Sequence, residues 1–308
     1  MLQTILSSWG VEQNTAQSIN DIRLKYIPVS QEAFIQKKIV FHKDDLYYEI
    51  NTTSSFAKGT NGKLFNAFLM ETSTNRYIPL VAKRVPSCLN SVREAALHAL
   101  VYEEQPKNIP KIYTIFRTKN HIWILMEDLR LVEKKNQYSY CLYSWLENAS
   151  VIFNRGLASA GFRKIISKVL KSVLHLSKKY SFLHGDLHTG NIYIQGSKNH
   201  INKVIVIDFG YSMISSTGKH SKSPYWLSYK DGIDAAVLLW SLYNSSAFQK
   251  SADATLLSWV SSKLLLTNGI DLKSFKNLKD VYEKLENSSS DDLIRLKIAT
   301  LVTEFAGI

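Results

Sequence analysis

This sequence has least material for disulfides, membrane spans and secretion. It holds only two cysteines, Cys88 and Cys141, in 308 residues. Two thiols make no disulfide framework, and neither stands in a metal-ligand spacing. A reducing compartment is therefore expected: cytoplasm or nucleus, or the host-cell interior or virion if the chain is viral. The sequons at Asn51, Asn148, Asn244 and Asn287 are then incidental. No apolar run approaches the roughly 20 residues that span a bilayer. No transmembrane segment is expected. The first residues, MLQTILSSWG, lack a positive n-region and carry too short an apolar stretch for a secretory signal.

Acidic residues are also short. There are 26 Asp plus Glu against 38 Lys plus Arg, a net charge of +12. Such a chain attracts anionic partners: acidic proteins, nucleic acid or an anionic surface. No single Arg/Lys cluster with interleaved aromatics stands out, and a generally basic soluble enzyme is the other reading. With 45% apolar residues, 11% of all residues aromatic and no internal repeat, the chain suits a small two-lobed enzyme or two modest domains.

Two segments carry the chemistry. The first is His184-Gly185-Asp186-Leu187-His188-Thr189-Gly190-Asn191, which sets an Asp and an Asn five residues apart in a polar loop. The second is Val206-Ile207-Asp208-Phe209-Gly210, where Asp208 ends the apolar run VIVI seventeen residues after Asn191. Phosphoryl transfer needs this supply of groups: a carboxylate to orient the attacking hydroxyl, and an amide and a carboxylate to hold a divalent metal on the triphosphate.

The two segments resemble the catalytic and magnesium-binding loops of the protein-kinase superfamily. The resemblance implies an α+β, bilobal protein-kinase-like fold, with an antiparallel sheet N-lobe and a mainly helical C-lobe. On that frame residues 1–45 form an N-terminal extension packed on the small lobe, 46–129 the N-lobe and 130–308 the C-lobe. It implies ATP as phosphoryl donor with Mg²⁺, Mn²⁺ being an alternative, and a protein substrate, acidic proteins included. Asp186 becomes the catalytic base, and Asn191 and Asp208 the metal ligands. His184 organises the loop through backbone hydrogen bonds. Ala57, Gly59, Gly62 and Leu64, in AKGTNGKL, match the family's glycine loop with Ala at the first glycine. Lys83, in LVAK, is the phosphate-holding lysine, and Glu94 is its partner on the next helix, with Glu103 and Glu104 as alternatives. Glu127 and Leu129 are the hinge residues whose main-chain groups face the adenine, and Met126 guards the back pocket. Lys83 and Asp208 are expected to face a solvated cleft, so that replacing them costs little packing.

Patterning predicts the elements around these positions. Residues 2–24 carry short apolar groups at helical spacing, and strands are predicted from residue 46. Further strands are read at 64–70 and 77–85, a helix at 91–104, and a hairpin from 111–117 and 121–126. After Leu129 helices are predicted at 161–180, 231–243, 252–266 and 291–306.

Several positions depart from the family pattern. Gly185 stands where regulated kinases carry an Arg that meets a phosphate on the activation segment, so activity is expected without phosphorylation of that segment. His188 stands where Ser/Thr kinases have a Lys that neutralises the moving phosphoryl group. The segment after Gly210 has no Ala-Pro-Glu, only Pro224-Tyr225-Trp226. HGDLHxGN with IDFG is also the pattern of aminoglycoside and choline kinases, and haspin-like, RIO-like and large-DNA-virus kinases have similar loops. The nearly complete glycine loop and the twenty residues between Gly210 and Asp231 favour a divergent Ser/Thr protein kinase. A small-molecule kinase or a nucleotide-binding pseudokinase scaffold are the alternatives.

Overall fold

The computed structural model describes residues 25–27, 37–43, 45–59, 62–132, 137–152, 155–197, 200–214 and 230–305, with backbone alone for 25, 26, 148–152 and 155–159. The chain divides into two compact units. One is Met1–Pro106 with Pro110–Leu129; the other is Lys107–Ile109 with Arg130–Ile308.

Among the described residues the first unit is built on an eight-stranded sheet. Its strands are β1 (Lys25–Tyr26), β2 (Lys38–Lys43), β3 (Leu46–Asn51), β4 (Ala57–Lys58), β5 (Lys63–Glu71), β6 (Arg76–Pro86), β7 (Ile112–Arg117) and β8 (His121–Glu127). They run in the order β1-β7-β8-β6-β5-β3-β2, with β4 on β5. All pairings are antiparallel except β1 on β7. Period-two alternation sends Phe65, Ala67 and Leu69 of β5 into a core and leaves Asn66 in water. The same core takes Ile39 and Phe41 from β2, Tyr48 and Ile50 from β3, and Trp123 from β8. Phe41 stacks on Tyr48 with ring centroids 4.8 Å apart. In β6, Leu80 and Ala82 join this core, so Val81 and Lys83 face the opposite side of the sheet. Helix α1 (Leu89–Glu104) brings Glu94 to Lys83 on that side.

Strand structure therefore precedes residue 46, with β1 at Lys25–Tyr26 and β2 at Lys38–Lys43. The KIVFHK segment alternates cleanly, with Ile39 and Phe41 buried and Val40 and His42 exposed. Its two inward residues were too few against flanking Lys and His to register as a strand. The helical pattern read over residues 2–24 lies outside the described residues.

In the second unit, β9 (Gln137–Cys141) leads to α2 (Leu142–Ile152) and α3 (Arg155–Tyr180). Then come β10 (Ile192–Ser197), β11 (His200–Val206), α4 (Ile233–Tyr243), α5 (Ser246–Ser251), α6 (Ala254–Lys263), α7 (Leu278–Asn287) and α8 (Ile298–Phe305). Strands β11, β10 and β9 form a three-stranded antiparallel sheet. Helix α3 buries Phe162, Ile165, Ile166, Val169 and Val173. Each such side chain contributes about 1.5–3 kcal/mol relative to exposure. Its outer face keeps Lys171, Lys178 and Lys179 in water. Helix α4 is apolar on every face apart from Asp234 and Ser241, and IDAAVLLW is buried, as so apolar a helix must be.

Two predicted helices are broken differently. The one read at 252–266 starts at Ala254, because Asp253 caps it by accepting the Leu256 N–H at 2.9 Å. The same carboxylate takes a two-pronged bond from Arg163 of α3, at 2.6 and 3.0 Å. The one read at 291–306 is a 3₁₀ turn, Ile294–Leu296, followed by α8. The β10–β11 hairpin, strand β9 and helix α7 were not predicted.

Candidate active site

In the first unit the two glycines of the glycine segment are bonded to one another. The Gly59 N–H donates to the Gly62 carbonyl at 2.9 Å, and Phe56 N–H to Leu64 O at 3.0 Å. A Cβ at Gly62 would lie 2.7 Å from the Arg84 carbonyl, so the close approach to β6 admits only glycine. A Cβ at Gly59 would meet nothing within 4 Å. Ala57 pairs with Leu64 across β4 and β5, and Leu64 pairs in turn with Lys83 of β6.

Lys83 Nζ lies 2.5 Å from Glu94 Oε1, with side-chain exposures of 10% and 7%. This corrects the expectation of a solvated Lys83: its ammonium is buried against a buried carboxylate. Glu127 ends β8, its N–H donating to the Lys111 carbonyl at 2.8 Å. Leu129 and Asp128 are buried, and Met126 is half-buried.

In the second unit the loop after α3 gathers the polar groups. His184 is fully buried. Its Nε2 is 3.0 Å from the Ile207 carbonyl, and its Nδ1 is 3.3 Å from the Asp186 amide. A carbonyl only accepts and an amide N–H only donates, so Nε2 carries the hydrogen and Nδ1 is the bare acceptor. The ring thus ties the Asp186 loop to the segment that runs from β11 to Asp208. Phe209 is buried beside it, ring centroids 5.4 Å apart. A two-way backbone bridge between Leu183 and Met213, at 3.0 and 2.9 Å, closes the same junction.

Asp186 is held at both oxygens. Asn191 Nδ2 donates to its backbone carbonyl at 2.8 Å and to Oδ2 at 3.1 Å. Tyr282 of α7 donates to Oδ1 at 2.6 Å. His188 Nδ1 accepts the Gly190 N–H at 3.0 Å, and its Nε2 stands 3.7 Å from Asp186 Oδ2. Burial pushes the Asp186 carboxyl above the ordinary value. Asp208 adds to this, while His188, Tyr282 and Asn191 oppose it.

Asp208 follows β11 with φ of 63°, a left-handed conformation unusual for a non-glycine residue. The Gly210 N–H donates to its Oδ1 at 3.3 Å. The Asn191 carbonyl accepts the Ile207 N–H at 2.9 Å, which fixes Asn191 beside the strand end leading to Asp208.

Two residues that the sequence reading did not single out complete the arrangement. Asp234, in the first turn of α4, is buried and accepts the N–H of His184 at 2.7 Å and of Gly185 at 2.9 Å. Burial pushes its carboxyl up to about 7, against the pull of those two bonds. A lone carboxylate inside the apolar stretch IDAAVLLW was the available signal, since a buried charge needs partners. Tyr282 had no such signal: it reaches Asp186 from 96 residues away in sequence.

The donor set suits a hard divalent ion. Asn191 spends its amide nitrogen on Asp186, which leaves its amide oxygen as the donor a metal would take. Magnesium asks of protein only one or two such oxygens, the rest coming from phosphate and water. Among the described residues no cluster of three or more His, Cys, Asp and Glu forms an all-protein metal site.

A family model described as protein kinase domain matches residues 51–230. The chain belongs to the protein kinase family. A comparison with curated proteins finds no match. The fold agrees: this kinase has an antiparallel sheet N-lobe and a helical C-lobe. Membership carries phosphoryl transfer, with ATP and a divalent metal, as the family's general chemistry.

Gly185, the kinase's departure next to Asp186, has a local cause. Its φ is +77°, and an added Cβ would lie 2.5 Å from the Tyr211 carbonyl. An arginine at this position is excluded by backbone, not merely absent. Cys88 and Cys141 are both free. Pro224-Tyr225-Trp226 and most of the segment after Gly210 lie outside the described residues. No helix among the described residues is long and apolar enough to cross a membrane.

Proposed function

We propose that this chain is a serine/threonine protein kinase that transfers the γ-phosphoryl group of ATP, with Mg²⁺, to hydroxyls of protein substrates without prior phosphorylation of its activation segment. The observation that carries this reading is the set of bonds around Asp186. Its carboxylate is fixed by Asn191 on the side of the metal-type donors, and its backbone is fixed by His184. A carboxylate so placed can orient an acceptor hydroxyl and take its proton.

The other roles follow from the residues. Lys83, steadied by Glu94, holds the donor phosphates, and Gly59 and Gly62, lacking side chains, let the backbone approach them. The hinge groups of Glu127 and Leu129 face the base. Asn191 and Asp208 hold the metal. When bound, the metal neutralises charge on the phosphates and lowers the cost of developing negative charge. His188 stands beside Asp186, at the position where a cation helps the moving phosphoryl group.

Gly185 supports activity without a phosphorylated segment, since no side chain at that position can receive a phosphate. The net charge of +12 supports an acidic protein substrate. Neither the fold nor the family match supports a nucleic-acid partner. Retention of Lys83, Asp186, Asn191 and Asp208 speaks against a pseudokinase scaffold. The test is to incubate pure protein with labelled ATP and Mg²⁺ in the presence of an acidic protein, a basic protein and a panel of amino alcohols. Label on serine or threonine of a protein supports the proposal. Label only on an amino alcohol makes it a small-molecule kinase, and no transfer at all leaves a scaffold.

A further inference from the structure

Among the described residues, Tyr282 is the side chain from outside the motif segments that hydrogen-bonds the proposed base. The contact is short, 2.6 Å from its hydroxyl to Asp186 Oδ1. The phenol is a donor there: burial, with Asp186 and Asp234 nearby, keeps it protonated well beyond the ordinary tyrosine range. It arrives on a fixed support. Its helix neighbours Val281 and Leu285 are fully buried. Asn277 caps the start of α7 by accepting the Asp280 N–H at 3.0 Å. Lys230 closes the other end, its Nζ bonding the carbonyls of Leu285 and Glu286.

The two oxygens of Asp186 are thereby distinguished. Oδ2 has Asn191 Nδ2 at 3.1 Å and His188 Nε2 at 3.7 Å. These are the residues assigned to the metal and to the moving phosphoryl group, so Oδ2 is the oxygen on the reacting side. Oδ1 is the far oxygen, and Tyr282 holds it. A carboxylate turns easily about its last torsion, which is broad and nearly two-fold. A bond from Asn191 on one edge alone leaves that motion open.

We infer that Tyr282 is a positioning residue: its hydroxyl fixes the far oxygen of Asp186, so that Oδ2 stays aimed at the incoming acceptor hydroxyl. The inference rests on the reading of Asp186 as the base given above. It acts through Asp186, not on the substrate. A reaction that depends on alignment of base and acceptor loses rate when the base can rotate, without losing affinity for nucleotide.

The test uses the full chain with ATP, Mg²⁺ and two acceptors, dephosphorylated casein and a histone mixture. Tyr282→Phe removes one oxygen and keeps the ring. Its kcat should fall on the order of tenfold, the size expected when a bond to a charged group is lost. The KM for ATP should stay at its wild-type value, and the protein should remain fully folded at the assay temperature. Two synthetic side chains at position 282 separate the donor from the shape. 4-Methylphenylalanine fills the volume without donating and should be as slow as phenylalanine. 4-Aminophenylalanine donates from the same place and should recover most of the rate. Wild-type kcat in Tyr282→Phe overturns the inference. A rise in kcat/KM for the protein acceptor also overturns it, because the phenol would then be a plug in the acceptor's place. So does a rate loss in proportion to a fall in the folded fraction, or no difference between the amino and methyl side chains. A wild-type protein that phosphorylates neither acceptor overturns the kinase reading together with this one, which tells the two failures apart.

Discussion

Replacing Lys83 by Met removes a charge from a place where its partner cannot reach water. Met is close to Lys in length, so the packing around β6 changes little. The loss falls on Glu94, whose side chain is 7% exposed and whose carboxylate is bonded to Lys83 at 2.5 Å. Removing one member of a buried ion pair costs on the order of 3–5 kcal/mol. Glu94 can limit that cost by taking up a proton, at about 1.4 kcal/mol for each pH unit above the ordinary glutamate value near 4.3. At pH 7 that limit is about 4 kcal/mol, in agreement with the direct figure. The sign with pH follows. The folded variant binds a proton that its unfolded chain has released, so its stability relative to wild type falls as pH rises above about 4.3. The deficit should therefore be only about 1 kcal/mol at pH 5. A chain of this size loses about 2–4 °C of melting midpoint per kcal/mol, giving a deficit of about 8–16 °C at pH 7. Thermal melts of wild type, Lys83→Met and the double variant Lys83→Met with Glu94→Leu, at pH 5 and pH 7, measure this. The double variant, with neither charge, should recover most of the midpoint and lose the extra pH dependence while remaining inactive. The reasoning is refuted if Lys83→Met melts with wild type at pH 7, if its deficit does not shrink at pH 5, or if the double variant is the least stable of the three.

Asp234→Asn should destabilise by about 1–3 kcal/mol, since an amide can accept only one of the two N–H bonds and turns a donor toward the other. Phosphoryl transfer should fall with it, as His184 and Gly185 lose their anchor. The Asp234 carboxyl stands at about 7 in the fold, well above its ordinary value, so wild-type stability should decline between about pH 4 and pH 7 on its account. Urea melts across that range should show a shallower slope for Asp234→Asn. ATP with Mg²⁺ should raise the melting midpoint by mass action, and EDTA should abolish the shift; no shift at millimolar nucleotide would favour neither donor nor metal binding. Enzyme treated with phosphatase and verified by mass should phosphorylate an exogenous substrate without a lag, and a rate recovered only after rephosphorylation would contradict the role given to Gly185.

The loop residues were legible in the sequence because their chemistry is local. Asp186 and Asn191 lie five residues apart, and their spacing alone puts amide and carboxylate in one turn. Strand β5 was legible for a similar reason: its alternation reports one buried face. What stayed hidden depends on contacts between distant segments. Tyr282 sits in a helix whose polar surface resembles any solvated helix, and only the packing of Val281 and Leu285 turns its hydroxyl to Asp186. Asp234 read as part of a helix, while its task is to hold two N–H groups 50 and 49 residues earlier. The solvation of Lys83 was misjudged because strand alternation gives a face but not what covers it. Strand β2 was missed because an edge strand is confirmed by the neighbour it pairs with, here β3, and not by six residues of its own.

Phosphoryl transfer itself is the most direct test. Wild type and Asp208→Ala should be incubated with ATP labelled at the γ-phosphate, Mg²⁺ and a protein acceptor, and the labelled amino acids identified after hydrolysis. The wild-type protein should place label on serine or threonine, and Asp208→Ala should lose roughly a hundredfold or more of that rate, as expected when charge stabilisation is removed from the transition state. Wild type that transfers no label, or an Asp208→Ala protein that transfers it as fast as wild type, would contradict the account.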